Sequence, residues 1–115
     1  MVEPPKLFDI GEAIHVDTPH EILVNKLCAL LGRAELRDLI DLQQLLARGG
    51  NLEQALRDAP RKDGGFSPLT LAWVLKNTDP APLARAMGWG EAQIEGLSNF
   101  HAWLIDRLIA AGAPE

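Results

Sequence analysis

The fold is decided by residues 15–42, HVDTPHEILVNKLCALLGRAELRDLIDL, which contain the signals for two consecutive helices. Thr18 is a favoured N-cap, Pro19 suits the first helical position, and Glu21 completes a Thr-x-x-Glu capping box. Apolar residues then recur at the three- and four-residue spacing of one helix face. Gly32 is available as a C-terminal stop for the first helix, and Gly49 for the second.

Outward from this pair, glycine and proline breaks divide the rest of the chain into shorter helices. The pattern predicts helices over about 18–31, 35–48, 52–59, 68–77, 81–87 and 91–111. Residues 1–17 contain an alternating stretch at 13–16 and predict a short β strand or hairpin. The expected fold is therefore mainly α, with five or six helices and a short N-terminal β segment. We expect a single domain over 1–115, comprising that β segment at 1–17, a motif-bearing helix pair at 18–48 and C-terminal helices at 51–115.

The composition is that of an ordinary globular protein, with 115 residues of which 47% are hydrophobic and 23% charged. The apolar runs are too short to span a bilayer, and the first ten residues lack the pattern of a secretory signal. Cys28 is the only cysteine, so a disulfide scaffold is excluded. We expect no membrane partner and a cytoplasmic location.

The net charge of −5 argues against a general nucleic-acid binder, which usually presents a basic face. The charge is nevertheless uneven along the chain. Residues 26–62 contain seven basic and five acidic side chains, so this segment carries +2 and the remainder −7. The basic excess therefore falls where the polar residues of the helix pair lie.

Lys26 and Asp38 occupy unusual places on the predicted helix faces. Lys26 lies one turn after Ile22 and one turn before Leu30, either within the apolar stripe or at its edge with the ammonium reaching solvent, and Asp38 lies at the border of the next helix's apolar face. If the helices pack antiparallel, the two side chains approach each other. They then form either a cleft that presents a cation and a carboxylate together, or an interhelical salt bridge that fixes register. Spacing alone leaves both interpretations open.

The same residues carry a family resemblance. The segment from Thr18-Pro19 through Lys26 and Arg33 to Arg-Asp-Leu-Ile-Asp-Leu at 37–42 resembles the C-terminal motif region of the AbiEii/AbiGii-type nucleotidyltransferase toxins. In that family a helix with a lysine and then an arginine precedes an Arg-Asp-x-x-Asp-Leu segment. The close match covers about 28 residues, and residues 51–115 are compatible with the family's variable tail.

The resemblance implies a polymerase-β-like enzyme that transfers a nucleotide from a nucleoside triphosphate to an acceptor, in several cases tRNA, with Mg²⁺. It implies that Lys26 contacts triphosphate oxygens, and that Asp38 orients or deprotonates the attacking hydroxyl or holds the lysine. Asp41 is implied as a third catalytic residue, and Arg33 and Arg37 as ligands of phosphate or RNA.

The sequence departs from the family pattern in one respect. It contains neither the Gly-Ser dipeptide nor the Asp-x-Asp pair that binds the metal in the family, and no metal-ligand spacing replaces them. The chain alone is therefore expected to be a truncated or C-terminal portion, with no cofactor of its own and no activity.

The partners expected on this interpretation are a catalytic N-terminal chain, a cognate antitoxin or a second copy, contacting mainly the strand and first helix. tRNA would be bound only in a complete enzyme. The competing interpretation is a non-enzymatic helical interaction module in which Lys26 and Asp38 form a structural ion pair.

The tryptophans of the C-terminal half are predicted to belong to the core. Trp73 and Trp103 each lie among apolar residues at helical spacing, which usually indicates buried area. Stacking of nucleic-acid bases is the alternative, and the absence of basic neighbours in the predicted surroundings favours the core.

Overall fold

Six α-helices make up the part of the chain that the structure, a computed structural model, describes, residues 18–113. They are α1 (Pro19–Arg33), α2 (Leu36–Ala47), α3 (Leu52–Lys62), α4 (Pro68–Lys76), α5 (Pro80–Ala86) and α6 (Glu91–Gly112). The prediction of a mainly helical fold is confirmed. The predicted β segment at 1–17 lies outside the described residues. None of the helices in 18–113 is long and apolar enough to cross a membrane.

The first helix begins as the sequence predicts. The backbone N–H of Glu21 donates to the Thr18 hydroxyl at 3.1 Å, and the Thr18 N–H donates to the Glu21 carboxylate at 2.8 Å. These two bonds form a complete capping box, with Pro19 at the first helical position. The start of α1 is therefore fixed by local chemistry.

The end of α1 differs from the prediction. The helix continues through Gly32 to Arg33, and Ala34 takes the left-handed conformation with φ 48° while its N–H donates to the Leu30 carbonyl at 2.9 Å. Only two residues, 34 and 35, then separate α1 from α2. This short corner brings the end of α1 beside the first turn of α2.

The end of α2 is set by the two glycines. Gly49 has φ +103°, and its N–H donates to the Leu46 carbonyl at 3.1 Å, while the Gly50 N–H donates to the Leu45 carbonyl at 3.0 Å. This pair of bonds is a Schellman motif. A Cβ on Gly50 would lie 2.9 Å from the Leu45 carbonyl oxygen, so this close approach also requires glycine.

The third helix does not stop before Pro60, as predicted, but continues to Lys62. Proline cannot donate a helical hydrogen bond. The helical hydrogen bonding nevertheless continues after Pro60, because the Asp63 N–H donates to the Ala59 carbonyl at 2.9 Å. Pro60 is thus accommodated within the last turn of α3.

The core is built mainly from leucines contributed by several helices. Helix α1 packs against both α2 and α3, and α6 packs against α4 and α5. The fully buried apolar side chains of greatest volume are Leu23, Leu27, Leu30, Leu42, Leu71, Leu75, Leu97, Leu104 and Leu108. This packing makes the α1–α2 pair a rigid support for the polar residues on its surface.

The prediction that two tryptophans belong to the core is wrong. Trp73 is 67% exposed and Trp103 is 42% exposed. Helices α4 and α6 cover each other with one face each, so the apolar residues on their outer faces remain in contact with solvent. The exposed large apolar side chains of residues 18–113 all lie on α4, α5 and α6 or directly after α5: Leu69, Trp73, Leu83, Met87, Trp103 and Ile109.

Candidate functional site

A cluster of two cations and two carboxylates spans α1 and α2. Arg33 donates from Nε to Asp38 Oδ2 at 2.8 Å and from its terminal nitrogen to Asp38 Oδ1 at 3.0 Å. The Lys26 Nζ lies 2.8 Å from Asp41 Oδ2 and 3.6 Å from Asp38 Oδ1. The predicted proximity of Lys26 and Asp38 is confirmed, and Arg33 and Asp41 complete a charge-neutral group.

Asp38 is the buried member of this group, with a side chain that is 0% exposed. It lies in the first turn of α2, where the helix dipole also favours a negative charge. The two-residue corner places Arg33 across from it, so the guanidinium reaches both carboxylate oxygens at once. A bidentate contact of this kind is both strong and specific in geometry.

The protonation of Asp38 follows from these contacts. The hydrogen bonds from Arg33 are the main reason why the pKa of Asp38 lies below its usual range, and the charge of Lys26 adds to the effect. Burial acts in the opposite direction but is outweighed. Asp38 is therefore ionised at neutral pH and serves as the anionic centre of the cluster.

Lys26 and Asp41 form the accessible end of the cluster. The side chain of Lys26 is 23% exposed and that of Asp41 is 37% exposed. The hydrogen bond with Asp41 is the main reason why the pKa of Lys26 is raised. Lys26 is thus a protonated ammonium, fixed in direction by two carboxylates and still open to solvent.

Arg37 stands apart from the cluster. Its side chain is exposed, and it forms no ion pair with any residue in 18–113. Arg37 and Asp41 lie four residues apart on α2 but form no ion pair, and Asp41 binds Lys26 instead. Of the five predicted site residues, the structure brings four together and leaves Arg37 on the outer face of α2.

The accessible end opens into a small cleft between α1 and α2, with a volume of about 170 Å³. Its walls are Ile22, Lys26, Asp41, Gln44, Leu45 and Arg48. Asp38 and Arg33 are not part of these walls, so Asp38 acts on the cleft through Lys26. Arg48 was missed in the sequence analysis, although its seven-residue separation from Asp41 places both on one side of α2.

A second polar contact joins the start of α1 to α3. His20 Nε2 lies 2.7 Å from Asp58 Oδ2, and this hydrogen bond is the main reason why the pKa of Asp58 is lowered. No family motif predicts this pair. It ties the motif-bearing helix to α3 beside a larger depression described below.

The cluster does not have the form of a metal site. Within residues 18–113, no group of three or more histidine, cysteine or acidic side chains is placed to hold a metal ion. Both oxygens of Asp38 accept hydrogen bonds from Arg33, and Oδ2 of Asp41 contacts Lys26. These residues therefore do not fit the Mg²⁺ that the family resemblance implies.

Comparison with known proteins agrees with the motif at 18–42. The family model described as nucleotidyl transferase AbiEii toxin, type IV toxin–antitoxin system, matches residues 2–104. No curated protein and no solved structure gives a match. The family match covers most of the chain, and it includes the whole of the Lys26–Asp38 cluster and five of the six helices completely. The chain belongs to the AbiEii nucleotidyltransferase toxin family.

Proposed function

We propose that this chain is the C-terminal portion of an AbiEii-type nucleotidyltransferase and contributes a triphosphate-binding lysine to it. The observation that carries the proposal is the position of Lys26, a protonated ammonium at the mouth of a cleft, held 2.8 Å from an exchangeable carboxylate. A lysine is a compact cation with three donors and suits triphosphate oxygens.

The residues of the cluster take different roles in this proposal. Lys26 contacts the triphosphate, and Asp41 holds the ammonium until the phosphate replaces it. Asp38 is a positioning residue, because its burial and its bidentate contact with Arg33 keep it away from any substrate. Of the two arginines that the resemblance implies, Arg37 is exposed and free of ion pairs with residues 18–113, so it is better suited than Arg33 to phosphate or RNA backbone.

In this proposal, another polypeptide or segment supplies the metal-binding part of the enzyme. The 115 residues contain neither Gly-Ser nor Asp-x-Asp, and the cluster does not fit a metal ion. We therefore expect no transfer by this chain alone. A segment with these motifs would be its catalytic partner, and an antitoxin is a further partner suggested by the family description.

Reconstitution tests the proposal. The chain is mixed with labelled nucleoside triphosphates, Mg²⁺ and tRNA, with and without a polypeptide that carries the Gly-Ser and Asp-x-Asp motifs. Transfer is expected only in the mixture, and Lys26→Met should abolish it. Lys76→Met is the matched control, because Lys76 is an exposed lysine on α4.

The rival function is a helical interaction module without enzymatic activity. The Arg33–Asp38 contact favours it to some extent, because a buried bidentate pair stabilises a helix corner without any substrate. Absence of transfer in every mixture, together with an effect of Lys26→Met on stability alone, would establish this rival. Loss of transfer in Lys26→Met with a normal Lys76→Met excludes it.

A further inference from the structure

We propose that a groove leads from the Lys26 cleft to a stacking site for the bases of a single-stranded polynucleotide, formed by Trp103 and Arg107. The inference rests on the proposed function, since it names the surface along which the acceptor strand would lie. It assigns a role to exposed residues of α6 that lie outside the family motif.

The groove consists of three depressions that share walls. The Lys26 cleft shares Arg48 with a depression of about 570 Å³ that extends over residues 49–51. Residues 49–51 in turn line a third depression of about 420 Å³, whose far wall contains Trp103 and Arg107. The three depressions are therefore neighbours on the surface, and together they extend from the ammonium of α1 to the aromatic side chains of α6.

The charge of this path differs in sign from that of the whole chain. The charged side chains that line the three depressions are Lys26, Arg48 and Arg107 against Asp41 and Glu53, a balance of +1. The chain as a whole carries −5. Arg48 and Arg107 form no ion pair with residues 18–113, so both are available to phosphate groups.

Trp103 has the neighbours of a preformed stacking surface. The ring of Phe100 stacks on it with centroids 5.8 Å apart and an interplanar angle of 25°. The guanidinium carbon of Arg107 lies 5.5 Å from the Trp103 ring centroid. Nucleic-acid bases stack both on aromatic rings and on arginine planes. The exposed part of the Trp103 ring, held between Phe100 and the Arg107 guanidinium, thus offers a base an aromatic surface beside a positive charge.

The turn between α2 and α3 keeps the path open. Gly49 has no side chain to extend into it, and the conformation of the turn is fixed by the Schellman motif. The path is also longer than one nucleotide. Asp41 and Arg48 are seven helical residues apart, which is about 10 Å, and the stacking surface lies beyond them. A strand of several nucleotides can therefore reach from the cleft to the stacking surface.

Direct binding measurements test the inference. A fluorescein-labelled single-stranded RNA of about eight nucleotides, within the site size of such surfaces, is titrated with the full chain by anisotropy. Trp103→Ala should weaken binding about tenfold or more, the loss expected for one stacked base. Arg107→Gln should weaken binding and reduce the slope of log affinity against log salt by about 0.7, the value for one phosphate contact on a single strand.

Two matched variants serve as controls. Trp73→Ala removes an exposed tryptophan and Lys76→Gln an exposed cation, both from α4 and away from the groove. Neither should change RNA affinity, and thermal unfolding verifies that all four variants fold. Failure of the chain to bind the RNA, or equal effects of Trp103→Ala and Trp73→Ala, would overturn the inference. Saturable binding of a protein partner at Trp103 in place of RNA would overturn it as well.

These measurements separate the inference from the proposed function. Binding is measured without triphosphate or transfer, so it does not depend on the catalytic role of Lys26. Normal RNA binding by Trp103→Ala, with transfer lost in Lys26→Met, refutes the stacking site alone. Trp103-dependent binding without transfer in any mixture refutes the nucleotidyltransferase proposal alone.

Discussion

Replacement of Asp38 by asparagine should destabilise the domain by about 2 kcal/mol at neutral pH. The amide has the size of the carboxyl group, so no cavity is created. Its oxygen can still accept one hydrogen bond from Arg33, whereas its NH₂ group faces the second guanidinium donor. A hydrogen bond to a charged group contributes about 1.5–3 kcal/mol, and the loss of one such bond gives the expected value.

Two features of the structure keep the loss below that of a fully buried ion pair. Breaking such a pair costs about 3–5 kcal/mol, because the remaining charge is stranded. Here the side chain of Arg33 is 54% exposed and can be hydrated, while Lys26 retains Asp41 at 2.8 Å. Neither cation is left in an apolar environment by Asp38→Asn.

The pH dependence gives the prediction a definite sign. The folded-state pKa of Asp38 lies below its unfolded value, so the unfolded chain binds the proton more readily. The stabilisation by the carboxylate is therefore complete above the unfolded pKa of about 3.9 and is lost as the pH falls through the folded pKa. The difference between wild type and Asp38→Asn should shrink towards zero in strong acid.

Urea unfolding followed by far-UV circular dichroism, at about pH 7 and again at about pH 3, measures both effects. Asp106→Asn is the control, since Asp106 is exposed on α6 and forms no ion pair with residues 18–113, and it should change stability by less than about 0.5 kcal/mol. The reasoning fails if Asp38→Asn behaves like this control at neutral pH. It also fails if the loss at acid pH is as large as at neutral pH.

Three other substitutions test the surroundings of the cluster. Lys26→Met should lower the free energy of unfolding by about 1 kcal/mol or less, because Asp38 keeps its guanidinium partner. A decrease of more than about 2 kcal/mol, measured by urea unfolding, would contradict this prediction. Gly50→Ala places a methyl group 2.9 Å from the Leu45 carbonyl oxygen and should cost about 1–3 kcal/mol in the same assay. Ala34→Gly removes the steric strain of a left-handed alanine, so the free energy of unfolding should stay unchanged or rise by about 1 kcal/mol. Thermal unfolding should then give a midpoint equal to or above that of the wild type.

The helix boundaries that the sequence predicts well are those with a local chemical signal. Thr18 and Glu21 satisfy each other within one turn, and Gly49 supplies the positive φ that ends α2. The corner after α1 has no such signal. Ala34 is an unfavourable residue for the left-handed conformation, and packing of α2 against α1 imposes it in place of Gly32.

The burial of Asp38 could not be read from periodicity. A helical wheel places it at the border of the apolar face, where a carboxylate ordinarily reaches solvent. Arg33 is five residues away, a separation that does not bring side chains together within one helix. Only the two-residue corner brings them into contact, and that contact offsets the desolvation of the charge.

The tryptophans were misassigned for a related reason. Spacing shows that Trp73 and Trp103 lie near apolar residues, but it does not show which part of that surface another helix covers. The basic neighbour of Trp103 was overlooked, although Arg107 follows it by four residues, the spacing of neighbours on one helix face. Arg107 lies one helical turn from Trp103 and over its ring, and the α2–α3 turn lies across the same depression.

The division of contacts within the cluster explains how a structural ion pair and a binding lysine can coexist. If Asp38 depended on Lys26 alone, withdrawal of the ammonium towards a phosphate would strand a buried carboxylate, at a cost of several kcal/mol. Arg33 already holds both oxygens of Asp38, at 2.8 and 3.0 Å, whereas Lys26 lies 3.6 Å away. Lys26 can therefore exchange Asp41 for another anion while the helix corner stays intact. If Lys26 served only to neutralise Asp38, the second cation, Arg33, would not be needed. The presence of both cations therefore favours a binding role for Lys26.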